Sequence, residues 1–266
     1  MVVLVIYKMK LEESPAFLSL TKALQFSNQS TALFIYDNSP HSQICDQYKN
    51  WKIVYRHNAT NPGVSKAYNE GFALAKSENK EWMLLVDQDT HFEKDLFLKY
   101  EASVKRNSQE KIFVPILRDT KGVVSPFVFK FGRGIRLRRI EPNQHLLSQK
   151  KFINSGLLIT SGVFEQVEGY DEKFKLDFSD MMFIQKLSTK IPSFWVVDSQ
   201  CTHSLSSSKR SSLEETLSRF ELYSRATNDF HALVKNSGVK FWKYFRAVVL
   251  GLRHLNGRFL IIAFSK

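Results

Sequence analysis

The chain has 266 residues, of which 43% are hydrophobic and 22 are Phe, enough to fill the core of one large domain. This composition excludes a wholly disordered protein, and two cysteines are too few for a disulfide framework. The formal net charge of +12 favours an anionic partner, namely nucleic acid, a membrane surface or a phosphorylated substrate, without choosing among them.

The first part of the chain alternates predicted strands and helices. Apolar runs predict two buried strands, at residues 2–7 and 31–39, and residues 51–58 and 81–89 are predicted as a third and a fourth strand. A helix is predicted after the first strand, with Ser14 as its cap and Pro15 at its first position. Another is predicted before the fourth strand, with Asn61 as its cap and Pro62 at its first position. This alternation predicts an α/β domain on a mostly parallel sheet.

Polar side chains gather where the predicted strands end, which is where such sheets bind ligands. The residues at these ends are Tyr7, Asp37, Asn38, Asn58, Asp87 and Asp89. Asp87 and Asp89 fall on the same face of their strand because side chains alternate. Two carboxylates held so close repel unless a cation lies beside them, and hard oxygen ligands suit Mg²⁺ or Mn²⁺. A solvated turn after the strand is the alternative.

Five segments carry a more specific signal. In chain order they are "YDNSP" (36–40), "NPGVSKAYNEG" (61–71), "LLVDQDT" (84–90), "INSGLLITSGVFEQVEGYDEKF" (153–174) and "LDFSDMMFIQKL" (176–187). Their order and approximate spacing resemble the inverting glycosyltransferases of family 2, and within them the rhamnosyltransferase-like branch. The resemblance covers residues 2 to about 230.

The resemblance implies the GT-A fold, a Rossmann-like α/β architecture with a mixed, mostly parallel sheet flanked by helices. The catalytic domain would span residues 1–205, with a nucleotide-sugar half at about 1–95 and an acceptor half at about 96–205. Residues 206–266 would form a basic, helical C-terminal appendage.

The resemblance also implies roles for individual residues. The residues expected to bind the donor are Tyr7, Asp37, Asn38, Asn61, Gly63, Asn69, Asp87 and Gln88. The residues expected to hold Mn²⁺ or Mg²⁺ are Asp87, Asp89 and His203. The residues expected to meet the acceptor are Asn154, Ser155 and Gly156, with an ordinary turn as the alternative. Asp180 falls where the family places its catalytic base, and Asp177 is its near competitor.

The chemistry of sugar transfer requires a similar arrangement of acidic residues. A cation held by carboxylates can stabilise the leaving diphosphate, and a separate carboxylate must take the proton of the acceptor hydroxyl. Asp180 meets the second demand, although Ser179 or Asp180 could simply cap a helix. Two departures from the family pattern leave details open. The first strand ends in "IYKMK" rather than Thr/Ser-Tyr-Asn, and the glycine that usually follows His203 is missing.

Two basic regions bear on the acceptor. "RGIRLRR" (133–139) lies where the family has a variable acceptor loop, and could be a solvated loop or bind a phosphorylated, lipid-linked acceptor. Residues 241–264 mix aromatic and aliphatic residues with Lys and Arg, which is typical of an amphipathic segment on an anionic membrane. A helix that packs back onto the domain or another subunit is the competing account. Residues 204–212 are predicted to form a flexible polar loop.

The sequence therefore predicts a metal-dependent glycosyltransferase. It would transfer rhamnose from dTDP-rhamnose, with inversion, to a cell-surface polysaccharide or lipid-linked glycan. The alternative donor is a UDP-sugar carrying glucose, galactose or N-acetylglucosamine. The expected location is the cytoplasm, with peripheral contact at the inner face of the cell membrane, because no stretch reaches the ~18 uninterrupted apolar residues of a spanning helix.

Two other classes compete. A sugar-phosphate nucleotidyltransferase needs a glycine-rich loop after the first strand, and "KMKLEESPAF" contains no glycine. A non-catalytic module that binds membrane or nucleic acid would explain the net charge but not the ordered acids. We therefore expect no nucleic-acid partner.

Overall fold

The computed structural model describes residues 1–45, 48–203 and 212–265. Within these residues the strands are β1 (Val2–Ile6), β2 (Thr31–Asp37), β3 (Trp51–His57), β4 (Trp82–Asp87), β5 (Thr90–His91), β6 (Ile112–Asp119), β7 (Gly122–Lys130), β8 (Arg133–Leu137), β9 (Gln144–Leu146), β10 (Leu157–Thr160) and β11 (Ser193–His203). The α-helices are α1 (Pro15–Ser27), α2 (Val64–Ser77), α3 (Leu96–Arg106), α4 (Ser161–Gln166), α5 (Ser179–Leu187), α6 (Leu213–Val234), α7 (Ser237–His254) and α8 (Arg258–Phe264).

All of these strands belong to one sheet, in the order β3-β2-β1-β4-β10-β6-β11-β5. The four strands predicted from the sequence pair in parallel, whereas β10 runs antiparallel to both β4 and β6. The hairpin of β7 and β8 extends from β6, and β9 pairs with β11. The prediction of a mixed, mostly parallel sheet flanked by helices is thus confirmed. β4 pairs with parallel β1 on one side and antiparallel β10 on the other, so residues from both halves of the sheet can meet at its C-terminal end.

Helices cover both faces of the sheet, which explains the uninterrupted apolar runs of the central strands. Val3, Val5 and Leu85 face the core cluster that includes residues of α2, α4 and α5. Leu4 and Val86 face the opposite cluster, which includes residues of α1 and α3. Alternate residues of each strand therefore hold two helical layers.

The start of α1 agrees with the sequence prediction, and the start of α2 does not. Ser14 Oγ accepts a hydrogen bond from the backbone N–H of Phe17 at 3.3 Å, with Pro15 at the first helical position. In contrast, α2 begins at Val64, so the predicted cap at Asn61 is wrong. The N–H of Val64 donates instead to the carbonyl of Lys175 at 2.7 Å. A distant backbone group thus replaces the local cap.

The basic stretch "RGIRLRR" is not a loop, which corrects that part of the prediction. Residues Arg133–Leu137 form β8, which pairs with β7 in a hairpin. The two turn residues, Phe131 and Gly132, both have positive φ angles, of 52° and 76°. Turns of this kind match the twist of paired strands, and glycine adopts them readily. The side chains of β8 are nevertheless largely exposed.

The C-terminal helices pack on one another. Leu217 and Phe220 of α6 form a small core with Ala247 of α7 and with Phe259 and Ala263 of α8. Phe230 of α6 and Val239 of α7 also pack with Phe127 and Phe174, so these helices pack back onto the domain, as in the competing account. Among the described residues, no helix is long and apolar enough to cross a membrane. Residues 204–211 of the predicted polar loop, and the predicted domain boundary at residue 205, lie outside the described residues.

Candidate active site

The two carboxylates of "LLVDQDT" lie at the end of β4, where Asp87 is the last strand residue and Asp89 lies two residues beyond it. Asp87 Oδ1 accepts a hydrogen bond from the hydroxyl of Tyr68 at 2.6 Å, and the N–H of Asp87 donates to Ser155 Oγ at 3.2 Å. Burial, together with the negative charge of Asp89, raises the pKa of Asp87 to about 6. Burial also raises the pKa of Asp89. The fold therefore holds two partly desolvated, mutually repelling carboxylates together, an arrangement that a cation would stabilise.

His203 lies beside this pair. The antiparallel contact of β11 with β5 places His203 opposite Thr90. His203 Nδ1 is 2.8 Å from Thr90 Oγ1 and 3.6 Å from Asp89 Oδ1. Thr90 Oγ1 is also 2.8 Å from Ser155 Oγ. The structure therefore brings the three residues predicted as metal ligands to one place, although they are 116 positions apart at most in the chain.

Within the described residues, no three His, Cys, Asp or Glu side chains are arranged as a complete metal site. Mg²⁺ and Mn²⁺ do not require one, because they typically bind one or two carboxylates and complete their shell with water and substrate phosphates. Asp87 and Asp89 provide that donor set, and His203 is near enough to support Asp89. These side chains thus fit a cation whose shell a bound diphosphate would complete.

Gln88, between the two acids, faces away from them. Its Oε1 accepts from the N–H of Tyr7 at 2.7 Å, and its Nε2 donates to the carbonyl of Tyr7 at 3.2 Å. The backbone carbonyl of Gln88 also accepts from Ser14 Oγ at 2.8 Å. Gln88 therefore joins the end of β4 to the residue after β1. The ring of Tyr7 is left 40% exposed at the edge of the site.

Asp37 ends β2 and Asn38 follows it, and the two side chains differ in how many of their hydrogen bonds the protein supplies. Burial alone would raise the pKa of Asp37, but hydrogen bonds from Gln43, Ser39 and Tyr55 outweigh burial and lower that pKa. The Asn38 side chain is buried, and its Oδ1 has no hydrogen-bond partner among the described residues. Asp37 is thus a fixed anion inside a closed network. Asn38 retains an unused acceptor.

The other residues predicted to bind the donor lie at or near α2. Asn61 is exposed, and Gly63 lies directly against the backbone of Lys175. Asn69 Oδ1 accepts from the N–H of Tyr170 at 2.8 Å, while its Nδ2 donates to the carbonyl of Tyr170 at 3.0 Å. The observed role of Gly63 and Asn69 is therefore to hold the segment that leads to Asp180. A donor contact by them stays a prediction.

Asp180 lies in the first turn of α5. The helix cap is Phe178, in the left-handed conformation, without a side-chain cap bond, so the predicted cap at Ser179 or Asp180 is wrong. Asp180 Oδ1 accepts from the N–H of Met181 at 2.7 Å. Burial, together with the negative charges of Asp87 and Asp177, raises the pKa of Asp180 to about 7. At neutral pH this carboxyl can therefore both take up and release a proton.

Asp177 has a different environment from Asp180. Arg219 binds both of its carboxylate oxygens, with Nη2 at 2.8 Å from Oδ1 and Nη1 in contact with Oδ2. Both acids line a cavity of 310 Å³. Because the two oxygens of Asp177 already accept from a guanidinium, Asp180 is the better placed of the two to accept a proton.

The "NSG" segment connects Asp87 at the end of β4 with the start of α5. Asn154 Oδ1 accepts from the hydroxyl of Tyr170 at 2.8 Å, and Asn154 Nδ2 is 3.4 Å from Ser179 Oγ. Ser155 contacts both Asp87 and Thr90, as described above. Gly156 has φ +84°, and a Cβ there would lie 2.5 Å from Pro115. The observed role of the segment is to position the acids, and contact with an acceptor stays a prediction.

Sequence reasoning missed several residues of this site. They are Tyr68, Thr90, Tyr170 and Arg219. Tyr68 was detectable, because helical spacing from Val64 places it on the buried face of α2, where a hydroxyl needs a partner. No local pattern could have identified Arg219, because the bond to Asp177 joins residues 42 positions apart.

Three solved structures of S. aureus TarS resemble the fold. The crystal structure of S. aureus TarS is 13% identical with a TM-score of 0.53, covering 86% of this chain and 39% of that chain. TarS 1–349 is 12% identical with a TM-score of 0.51, covering 86% of this chain and 65% of that chain. TarS 1–349 in complex with UDP-GlcNAc is 14% identical with a TM-score of 0.50, covering 85% of this chain and 66% of that chain. The chain thus spans less than two thirds of these relatives.

At such identities the likeness concerns the fold alone, and it agrees with the expected GT-A architecture. No curated protein sequence matches the chain significantly. The family profile "Glycosyl transferase family 2" matches residues 18–155, more than half of the chain, and the matched residues include Asp87, Asp89, Asn154 and Ser155. The chain therefore belongs to glycosyl transferase family 2.

Proposed function

We propose that the protein is a metal-dependent, inverting glycosyltransferase that moves a sugar from a nucleoside diphosphate to an acceptor hydroxyl. The observation that carries this proposal is the pairing of two unlike acidic groups in one site. Asp87 and Asp89 form a repelling pair suited to a cation, while Asp180 is a single carboxyl with a pKa of about 7. Displacement of a diphosphate by a hydroxyl needs one group of each kind.

The donor would bind across the C-terminal ends of β1, β2 and β4. Asn38 offers its unpartnered Oδ1 to the nucleotide, and Tyr7 offers an exposed ring. Asp87 and Asp89 would hold Mg²⁺ or Mn²⁺, with His203 supporting Asp89. When bound, the cation supplies positive charge to the leaving diphosphate.

Asp180 would act as the general base. The acceptor oxygen bonds to the anomeric carbon as its proton passes to the Asp180 carboxylate, and the bond from that carbon to the diphosphate oxygen breaks. One displacement from the opposite face inverts the anomeric centre. Asp177 would keep Arg219 and the start of α5 in place.

Two donors are the leading candidates. The rhamnosyltransferase-like motifs support dTDP-rhamnose. A UDP-sugar is the second candidate, because the structurally similar TarS was solved with UDP-GlcNAc. The acceptor would be a cell-surface polysaccharide or a lipid-linked glycan.

We also propose a cytoplasmic location with peripheral membrane contact. Residues 237–265 include five Lys or Arg and no Asp or Glu. Large apolar side chains of α7 and α8 point outward, among them Phe241 at 62% exposure and Phe264 at 71%. Apolar exposure together with positive charge suits an anionic membrane surface.

Ligand-observed NMR tests the donor proposal. The panel contains dTDP-rhamnose, UDP-glucose, UDP-galactose, UDP-N-acetylglucosamine and GDP-mannose, each with and without Mn²⁺. We expect Mn²⁺-dependent binding of one donor that is lost in Asp89→Ala and retained in Asp198→Ala, an exposed acid on β11. The anomeric configuration of the product then tests inversion. Absence of binding by every donor, with the metal present, would overturn the proposal.

A further inference from the structure

A continuous groove leads from Asp180 to the outer surface of α7. The cavity of 310 Å³ that contains Asp180 adjoins a second cavity of 490 Å³ beside α7. Residues lining both cavities are Phe129, Gly134, Phe178 and Tyr223. The groove therefore runs between the β7–β8 hairpin on one side and α6 and α7 on the other.

Two arginines stand over aromatic rings in the second cavity. The guanidinium of Arg133 lies 4.3 Å from the ring centroid of Trp242, and that of Arg246 lies 4.6 Å from that of Tyr223. The Trp242 ring is itself fixed, because its Nε1–H donates to the carbonyl of Phe131 at 2.8 Å. Stacked guanidinium groups keep their edges available for oxygen atoms.

Neither arginine has a carboxylate partner within 4 Å among residues 1–45, 48–203 and 212–265. In contrast, Arg136 in the first cavity pairs with Asp119, and Arg219 pairs with Asp177. Uncompensated guanidinium groups held in fixed positions are suited to a phosphate, which accepts the planar fork of arginine.

Beyond the arginines, the groove opens onto an apolar stripe of α7. Exposed apolar residues recur at helical spacing along this face: Phe241, Phe245, Val248, Val249 and Leu252. The opposite face of the helix is already occupied by Val239 and Ala247, which are buried. The stripe thus offers an apolar path that starts where the two arginines stand.

We infer that this groove binds the acceptor, and that the acceptor is an amphiphile with a phosphate or diphosphate head and a long apolar chain. Arg133 and Arg246 hold the head, and the chain lies along the apolar stripe of α7. The sugar joined to the phosphate then extends past Phe178 toward Asp180. The inference rests on the proposed function, because it assumes that Asp180 serves an acceptor hydroxyl.

Calorimetric titration with geranyl diphosphate tests the inference. The buffer contains EDTA, so that a cation at Asp87 and Asp89 does not contribute. Inorganic pyrophosphate provides the head alone, and geraniol provides the chain alone. We expect geranyl diphosphate to bind at least about tenfold more tightly than either, since charge and apolar contact both contribute.

Paired substitutions locate the site. The Arg133→Gln/Arg246→Gln protein should lose about tenfold or more in affinity for geranyl diphosphate, while Arg133→Lys/Arg246→Lys should retain part of it. Arg225→Gln serves as the matched control, because Arg225 is an exposed arginine of α6 paired with Glu221. Equal binding of pyrophosphate, or an unchanged affinity in the glutamine variant, would overturn the inference.

Two further titrations separate the possible failures. Phosphatidylglycerol vesicles should bind the glutamine variant nearly as well as the unsubstituted protein, and a loss as large as that for geranyl diphosphate would indicate a general lipid surface and overturn the acceptor site. Nucleotide-sugar binding with Mn²⁺ should be unchanged in the same variant. If the unsubstituted protein binds no donor, the proposed function fails, whereas the geranyl diphosphate result still decides whether the groove binds an amphiphile.

Discussion

Tyr68 donates its phenolic hydrogen to Asp87 Oδ1 at 2.6 Å and thereby joins α2 to the end of β4. The bond favours the ionised carboxylate, and it opposes the burial and the Asp89 charge that raise the pKa of Asp87. Tyr68 is fully buried, so its hydroxyl has no access to water as an alternative partner. A residue without any contact to solvent therefore helps to determine how readily Asp87 ionises.

Tyr68→Phe should weaken Mn²⁺-dependent donor binding. Without the hydroxyl the pKa of Asp87 rises further, so a smaller fraction of the carboxyl is ionised near neutral pH. We expect the pH midpoint of donor affinity to move upward and the affinity at pH 7 to fall by about threefold to tenfold. Calorimetry between pH 5.5 and 8.5 measures both. Tyr100→Phe is the control, because among the described residues that buried hydroxyl donates to the carbonyl of Gly156 and to no carboxylate, and an equal pH shift there would contradict the assignment.

Asp180→Asn should bind donor normally yet lose transfer by about 100-fold to 10,000-fold, because asparagine cannot accept the proton. In the unsubstituted protein, the rate should rise with pH through about 7, since the base acts only when ionised. Steady-state transfer rates from pH 5.5 to 8.5, with donor binding measured in parallel, check both statements. Asp177→Asn should retain more activity, and the reverse ranking would exchange the roles of the two acids.

Asp180→Asn should also stabilise the folded protein at high pH. The raised pKa of Asp180 means that the folded state holds this proton more tightly than the unfolded chain, whose value is near 3.8. Stability is therefore lost as pH rises from about 4 to about 7. Asp180→Asn should increase the free energy of unfolding by on the order of 2 kcal/mol at pH 8 and leave it unchanged at pH 3.5.

Urea unfolding at the two pH values measures this difference. Asp177→Asn should have the opposite sign at pH 8, because it removes the bidentate partner of Arg219. A destabilised Asp180→Asn protein at pH 8 would mean that the carboxylate holds α5 in place. That result would argue against an acid that lowers the stability of the fold and is kept for catalysis.

Gly63→Ala should destabilise the fold strongly. Gly63 has φ +98° and ψ −178°, a region that is essentially restricted to glycine. A Cβ there would lie 2.2 Å from the carbonyl oxygen of Lys175. We expect a loss of about 2 kcal/mol or more in the free energy of unfolding, measured with urea. Gly162→Ala in α4 is the control; its Cβ meets nothing within 4 Å, and alanine there should be neutral or stabilising.

The sequence was sufficient for the parallel half of the sheet because β1, β2 and β4 are apolar runs between polar ends, and β3 is a mostly apolar segment interrupted by Lys52 and Arg56. It also placed Asp87 and Asp89 on a strand end and brought His203 into consideration. The start of α2 was misjudged because the carbonyl of Lys175, more than 100 positions away, replaces the local cap at Asn61. The β8 strand was read as a loop because exposed arginines resemble a solvated segment.

The environments of the acids could not be read from the sequence. Asp37, Asp87 and Asp180 are the same residue type in similar polar contexts, yet the pKa of Asp37 is lowered while those of the other two are raised. The difference comes from hydrogen-bond donors such as Tyr55 and Gln43, which only the tertiary fold delivers. Local patterns locate such acids but do not determine their charge.

The clamp between Gln88 and Tyr7 limits how this motif can be exchanged between relatives. The middle position of Asp87-Gln88-Asp89 faces away from the acids, so it looks free to vary, yet both amide-group atoms of Gln88 are bonded to the backbone of Tyr7. A shorter or apolar residue there would lose both hydrogen bonds to Tyr7, and the two carboxylates would no longer be held in fixed positions. Transplanting a metal motif from another transferase would therefore require transplanting the matching end of the first strand with it.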